Sequence, residues 1–326
     1  MAQEGIAELV NQQTWLDPVG DLLQRWIEQA YTAGGPAGTR IKGILAGTWL
    51  GHPLHPALTD VPLGSWTATT VLDLAEAATG NRKLGAGADA TLAIGLVAAL
   101  GAAVTGLNDW HYTVDRQRRV GLAHGLLNIG AAGLYAVALA ARAGGNRRAG
   151  RSLALVGYAT GLFSAWLGGD LVFDQRLGVN HAPELEEAPE DFSAVLDDGE
   201  LREGEPRRVE AGSVPVMLVR QRGQIYALAE SCAHLGGPLS EGQLGEGTIT
   251  CPWHASRFAL ADGHVLDGPA TYPQPCYQAR VRNGKIEVGP RAHHLPATTS
   301  IATGGESSGE SAGTSRAPGE TLSGTR

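Results

Sequence analysis

Four long segments almost free of full charge, 57–78, 90–107, 120–141 and 153–172, constrain this chain more than any other feature. Each is long enough to cross a hydrocarbon core, which takes about 20 residues at a rise of about 1.5 Å per residue. The stretch 90–107 has no ionisable residue and no polar face to turn toward water. Asp60, Asp73 and Glu76 inside the first segment argue for the opposing reading, a soluble Ala-rich bundle. Four such segments in succession favour the membrane. Gly121/Gly125 and Gly157/Gly161 add small residues four apart, the spacing by which membrane helices approach closely. Positions 1–50 mix charges with Leu22, Leu23, Trp26 and Ile27 and read as amphipathic surface helices.

The pattern changes after the fourth segment. Residues 176–191 read as a linker, since 182–192 hold Pro183, Pro189 and five acids. From Ser193 short alternating runs take over, such as 214–220 and 224–228. Turn signals at Arg222-Gly223, Asp262-Gly263 and Asn283-Gly284 separate them, which predicts a small β-domain over 192–290. Residues 291–326 are Gly, Ser, Thr and Pro without apolar period, the composition of a disordered tail. The fold class is multidomain α plus β: surface helices over 1–50, a four-span transmembrane bundle over 51–175, then the all-β unit. A net charge of −8 leaves no basic surplus to neutralise phosphates, which excludes nucleic acid as a general partner. Residues 1–30 show no basic start leading into an apolar core and cleavage site.

Cys232, Cys251 and Cys276 all lie in the β-domain, and three cysteines make no disulfide framework. Two belong to a ligand pattern: Cys232-Ala-His234, then residues 235–250, then Cys251-Pro-Trp-His254. Two Cys–His pairs on two loops can hold one diiron centre, thiolates on one iron and imidazoles on the other. They also form a Cys2His2 set of the kind zinc takes, although zinc fingers usually group Cys with Cys and His with His. Cys276 reads as a small buried apolar residue.

Residues 192–289 closely resemble Rieske ferredoxin domains, through 231–240 (SCAHLGGPLS), 251–258 (CPWHASRF) and 262–270 (DGHVLDGPA). The resemblance implies a [2Fe–2S] cluster on Cys232, His234, Cys251 and His254. Cytochrome-complex Rieske proteins tie the two loops by a disulfide, but Gly237 and Trp253 stand at those positions, so packing must hold the loops. Ser256 matches a hydroxyl that donates to a cluster sulfur in the high-potential branch, whereas Phe258 replaces the tyrosine that supplies a second such bond. Fewer bonds to sulfur favour the oxidised cluster, which places the potential between the two branches or low. Ala255 replaces a usual Gly. His264, in a later turn, reads as a surface residue, as do His293 and His294 at the start of the tail.

Residues 48–175, through Gly51-His-Pro-Leu-His-Pro56 and Asp60-Val-Pro-Leu-Gly64, resemble the start of a four-helix bacterial membrane domain, DUF2231. Pro53 and Pro56 suit a rigid entrance and first turn of span one. With four spans the chain enters and leaves on one side, so His52, His55, Asp60, Asn108, Asp109, His111, His124, Asp170 and His181 gather at one membrane face. His124 and Asn128 lie inside span three, where polar groups are costly and usually functional. His52, His55, His111 and His124 form a candidate site for haem or quinone.

These features describe a membrane-anchored electron-transfer protein, passing single electrons between a membrane-face carrier or reductase and a redox partner. A quinone- or haem-linked oxidoreductase and a non-catalytic redox sensor are the alternatives, and a Soret band beside the cluster spectrum separates the first two. A mononuclear-iron oxygenase is disfavoured, because no second soluble domain with two His and a carboxylate follows. The expected location is the bacterial cytoplasmic membrane, multi-pass. Arg and Lys are balanced between the two sets of loops, so the positive-inside rule gives a tie. Cluster assembly in the cytoplasm then favours a cytoplasmic Rieske domain.

Overall fold

A computed structural model of the chain describes residues 2–182 and 189–292. The predicted tail from 293, with His293 and His294, and the acidic stretch 183–188 lie outside the described residues. Three amphipathic helices come first: α1 (Ala2–Asn11), α2 (Asp17–Ala33) and α3 (Gly35–Ala46). Leu23 and Ile27 turn inward against Leu16, Trp110 and Leu122, whereas Leu22 and Trp26 stay exposed. Ion pairs anchor α2: Arg119 donates to Asp17 at 2.9 and 2.7 Å, and Arg118 pairs with Asp17 and Asp21.

Four long helices follow, α4 (Leu54–Thr79), α5 (Arg82–Trp110), α6 (Asp115–Ala143) and α7 (Arg147–Gly169), covering the four apolar segments but for the last three residues of the fourth. Those residues belong to a π-helical turn at Asp170–Asp174. α5 and α6 are each long and apolar enough to cross a membrane. Asn81 and Asn146 cap α5 and α7 by accepting from Lys83 N–H and Ala149 N–H. α4 and α5 form one closely packed hairpin and α6 and α7 another.

Two of the acids in the first segment, Asp73 and Glu76, have arginine partners. Arg142 pairs with buried Asp73 and, at 2.9 Å, with Asp89; Arg147 reaches Glu76 at 2.5 Å and Asp89 at 2.9 Å. This network joins α4, α5, α6 and α7 at one end of the bundle. Trp66 stacks on Tyr135 nearer the middle, 4.3 Å between ring centres. Of the small-residue pairs, Gly121 lies against Trp110 and Gly157 against Tyr135. Gly125 and Gly161 border open space instead, since a Cβ there would meet nothing within 4 Å.

The β-domain has two antiparallel sheets. Strands β1 (Ser193–Asp197), β2 (Arg207–Ala211), β3 (Val214–Gln221), β4 (Gln224–Ala229), β9 (Cys276–Arg282) and β10 (Lys285–Arg291) form one, in the order β1-β10-β9-β4-β3-β2. Strands β5 (Gln243–Gly245), β6 (Thr248–Thr250), β7 (Arg257–Ala259) and β8 (Val265–Asp267) form the other. Arg222-Gly223 and Asn283-Gly284 take left-handed φ at both residues, the two-residue hairpin turn their sequences predict. β3 is buried on both faces: Met217 and Val219 join the core shared with the small sheet, and Val216 and Leu218 the core beneath β10.

Candidate metal centre

The small sheet presents two loops side by side. The first, between β4 and β5, turns tightly: Gly236 N–H donates to Cys232 C=O at 2.8 Å, and Cys232 N–H to Gly237 C=O at 2.9 Å. The second, between β6 and β7, repeats this: Ala255 N–H donates to Cys251 C=O at 3.1 Å, and Cys251 N–H to Ser256 C=O at 2.8 Å. Each turn needs a left-handed residue. Gly236 supplies it at φ +78°, but Ala255 is held at φ +59°, where a Cβ costs roughly 1 kcal/mol. The usual glycine at that position is thereby accounted for.

Both cysteines are buried, and their mutual influence pushes the Cys232 thiol up and the Cys251 thiol down. The imidazoles of His234 and His254 stand at right angles, 5.1 Å between ring centres. Burial depresses both, His254 to about 4 and His234 well below the usual range, so both stay neutral and keep a lone pair for a metal. The Nδ1 atoms of His234 and His254 are buried without a hydrogen-bond partner. Two orphaned ring nitrogens beside two thiols fit a [2Fe–2S] cluster. Among the described residues no three His, Cys, Asp or Glu side chains gather around one point, as a structural zinc site would require. A diiron centre takes only two protein ligands per iron.

Packing replaces a tie between the loops. A Cβ on Gly237 would meet Cys251 Sγ at 2.8 Å and the Trp253 ring at 3.0 Å, so the indole lies directly on the glycine. Ser256 is fully buried, and its Oγ accepts from Ala270 N–H at 3.0 Å. Phe258 is fully buried in the same core as both cysteines. Cys276 is buried with its thiol pushed up to about 12, in keeping with an apolar role, and His264 is exposed. Gln274, which sequence reasoning missed, is the chief brace of the first loop. Its Oε1 accepts from Ala233 N–H at 2.9 Å, and its Nε2 donates to Ala229 and Ser231 carbonyls at 2.8 and 2.7 Å.

The helical region closes over the imidazoles. Tyr112, just past α5, lies 5.2 Å from the His234 ring and 5.0 Å from the His254 ring, edge to face. His111 packs on Tyr112 at 3.7 Å between ring centres, and its Nδ1 meets Asn108 C=O at 2.6 Å. Thr48 Oγ1 donates to Ala270 C=O at 3.2 Å. The predicted linker does not hang free at its start, for His181 N–H donates to Ala233 C=O at 3.1 Å. The gap bordered by His234, Asp109, Gly178 and Tyr272 has a volume of about 30 Å³, room for a single water.

The four predicted membrane-face histidines separate. His55 and His124 come together, 6.5 Å between ring centres. His111 belongs to the cover over the two Cys–His loops. His52 is exposed, with Nδ1 beside its neighbour's Pro53 C=O at 3.0 Å.

Comparison with known proteins agrees with this geometry. Residues 191–278 match the Rieske [2Fe-2S] domain and residues 51–181 a predicted membrane protein domain, DUF2231. The ferredoxin subunit of 3-phenylpropionate/cinnamic acid dioxygenase from Escherichia coli (strain K12) is 36% identical over 90 residues, 27% of this chain and 84% of that protein. The chain belongs to the Rieske family. Apoptosis-inducing factor 3 from Homo sapiens is 33% identical over 116 residues, 35% of this chain but only 19% of that protein. Its mouse counterpart is 34% identical over 89 residues, 27% of this chain and 15% of that protein. The chain therefore spans less than a fifth of the length of these two relatives. Among solved structures, the ferredoxin of carbazole 1,9a-dioxygenase from Nocardioides aromaticivorans IC177 aligns at 27% identity and TM-score 0.30, covering 31% of this chain and 99% of that one.

Proposed function

We propose that this Rieske protein is anchored in the bacterial cytoplasmic membrane by four spans, α4 to α7, and passes single electrons between its cluster and a carrier at the membrane face. Cys232 and Cys251 would hold one iron and His234 and His254 the other. The cluster supplies one-electron chemistry; the chain binds it, shields it from water and directs its exit. The observation that carries the reading is Tyr112 seated on both imidazoles. The histidine edge, where an electron leaves most directly, faces the helical domain. The 30 Å³ gap there is far below the roughly 300 Å³ of a small-molecule site, which favours exchange through the helical domain over a quinone bound against His234.

Large apolar side chains point outward on all four helices, among them Val71, Leu74, Val97, Leu100, Ile129, Val137, Val156 and Phe163. In water that surface is a liability; in lipid it is the solvated face. Cluster assembly favours the cytoplasmic side for the Rieske domain. The ferredoxin relatives support a second arrangement, in which a soluble reductase or oxygenase is the partner. The two are separated with membranes holding the full chain, by following the visible circular dichroism of the cluster. Reduction by added reduced quinone without a soluble protein supports the membrane route. Reduction only when a ferredoxin reductase is added refutes it.

A further inference from the structure

His55 and His124 repeat one arrangement on the two helical hairpins. His55, in the first turn of α4, points Nδ1 at Ala102 C=O of α5, 2.8 Å away, and its ring lies against Gly106 one turn on. His124, on α6, points Nδ1 at Ser164 C=O of α7, also 2.8 Å away, and lies against Gly168 one turn on. In each pair the carbonyl comes four residues before the glycine. A Cβ on Gly106 would sit 2.8 Å from the His55 ring, and one on Gly168 3.1 Å from the His124 ring. A carbonyl on Nδ1 fixes the tautomer that leaves Nε2 with its lone pair, and metal-ligating histidines are commonly oriented this way. In this structure Asn128 Nδ2, one turn on along α6, donates to that lone pair of His124 at 3.1 Å, so the Asn128 amide has to swing aside for His124 to take a metal.

The spacing suits a shared metal. Two imidazoles on one metal stand with ring centres roughly 6.2 Å apart, from two bonds of about 2.0 Å plus about 1.1 Å inside each ring. His55 and His124 stand 6.5 Å apart with their planes at 89°. Among the described residues no third His, Cys, Asp or Glu joins them, so a bare ion would lack donors. A metal that brings its own equatorial donors needs only these two. Space lies beside them on both α6 and α7: Gly125, next to His124, and buried Gly161, one turn before Ser164, would each carry a Cβ touching nothing within 4 Å.

We infer that His55 and His124 are the two axial ligands of a haem held between the hairpins. This deepens the electron-transfer reading and rests on it only for the route. α5 provides the His55 carbonyl near its end, and Tyr112 just beyond that end covers the cluster ligands. One electron leaving the reduced cluster would take the haem iron from ferric to ferrous, with no proton required.

The test uses the full chain, made in cells supplied with a haem precursor and purified in detergent. A Soret band and a pyridine haemochrome near one haem per chain are expected beside the Rieske electron paramagnetic resonance signal. His55→Gln and His124→Gln keep a donor for the carbonyl but offer no imidazole; each should lose the haem and retain the Rieske signal, which reports an intact fold. His52→Gln should keep both. Haem without cluster-to-haem transfer would uphold this site while refuting the electron route. Wild-type protein with a full Rieske signal and no haem would overturn the inference, as would haem retained by both the His55 and His124 variants.

Discussion

Replacing Tyr112 by alanine and by phenylalanine should act in opposite directions. The ring is 92% buried, being 8% exposed, and touches His111, His234 and His254. Truncating a buried aromatic to alanine costs about 3–5 kcal/mol, and loss of aromatic pairs is included in that range. Because the ring is the seal between the helical region and the cluster loops, the loss falls on their docking. At about 1.4 kcal/mol per tenfold, amide exchange in 230–240 and 251–256 that proceeds through undocking should rise by roughly two to three orders of magnitude. Tyr112→Phe keeps the ring and removes a hydroxyl that is buried without a partner. An unsatisfied buried group costs about 1–3 kcal/mol, so this variant should exchange at the wild-type rate or slower. Hydrogen exchange read by mass spectrometry decides. Exchange unchanged in Tyr112→Ala, or equally raised in Tyr112→Phe, would refute the docked arrangement.

Two further outcomes follow from the same interface and loops. Gly237→Ala forces a Cβ to 2.8 Å from Cys251 Sγ, so iron content should fall and stability drop by about 1–3 kcal/mol, and full iron loading in this variant would contradict the packing account. His111, lowered to about 4 by burial and then by Lys42, has a folded pKa below its unfolded value near 6.5, so its contribution is complete above pH 6.5 and is lost as pH falls toward 4. A shift of that size is worth roughly 3 kcal/mol; His111→Gln should flatten the fall in thermal stability between pH 7 and pH 4.5, and an unchanged slope would clear His111 of that role.

The cluster site was legible because its chemistry is local. Cys232, His234, Cys251 and His254 lie in two short runs, and the resemblance of those runs to Rieske ferredoxins, more than their spacing, marked them as cluster ligands; the left-handed turns at Gly236 and Ala255 are visible only in the structure. The four helices were legible from apolar length, though their boundaries extend into the charged flanks. Asp73 and Glu76 argued for a soluble bundle in sequence, and their partners Arg142 and Arg147 lie some 70 positions on, beyond the reach of any local pattern. Gln274 and Tyr112 were not legible. Each acts on a residue more than 40 positions away, and neither a lone glutamine in a loop nor a tyrosine at a helix end has a periodicity that marks it. In sequence only His124, inside span three, stood apart; His52, His55 and His111 looked equivalent. What separates them is which helix supplies a carbonyl and a glycine opposite the ring, a property of packing between hairpins.

Electron paramagnetic resonance of the reduced full chain tests the central assignment most directly. The wild type should give the Rieske signal, His254→Ala should abolish it, and His264→Ala, altering an exposed residue outside both loops, should leave it intact. Loss of the signal in His264→Ala with its survival in His254→Ala would contradict the assignment of the cluster ligands.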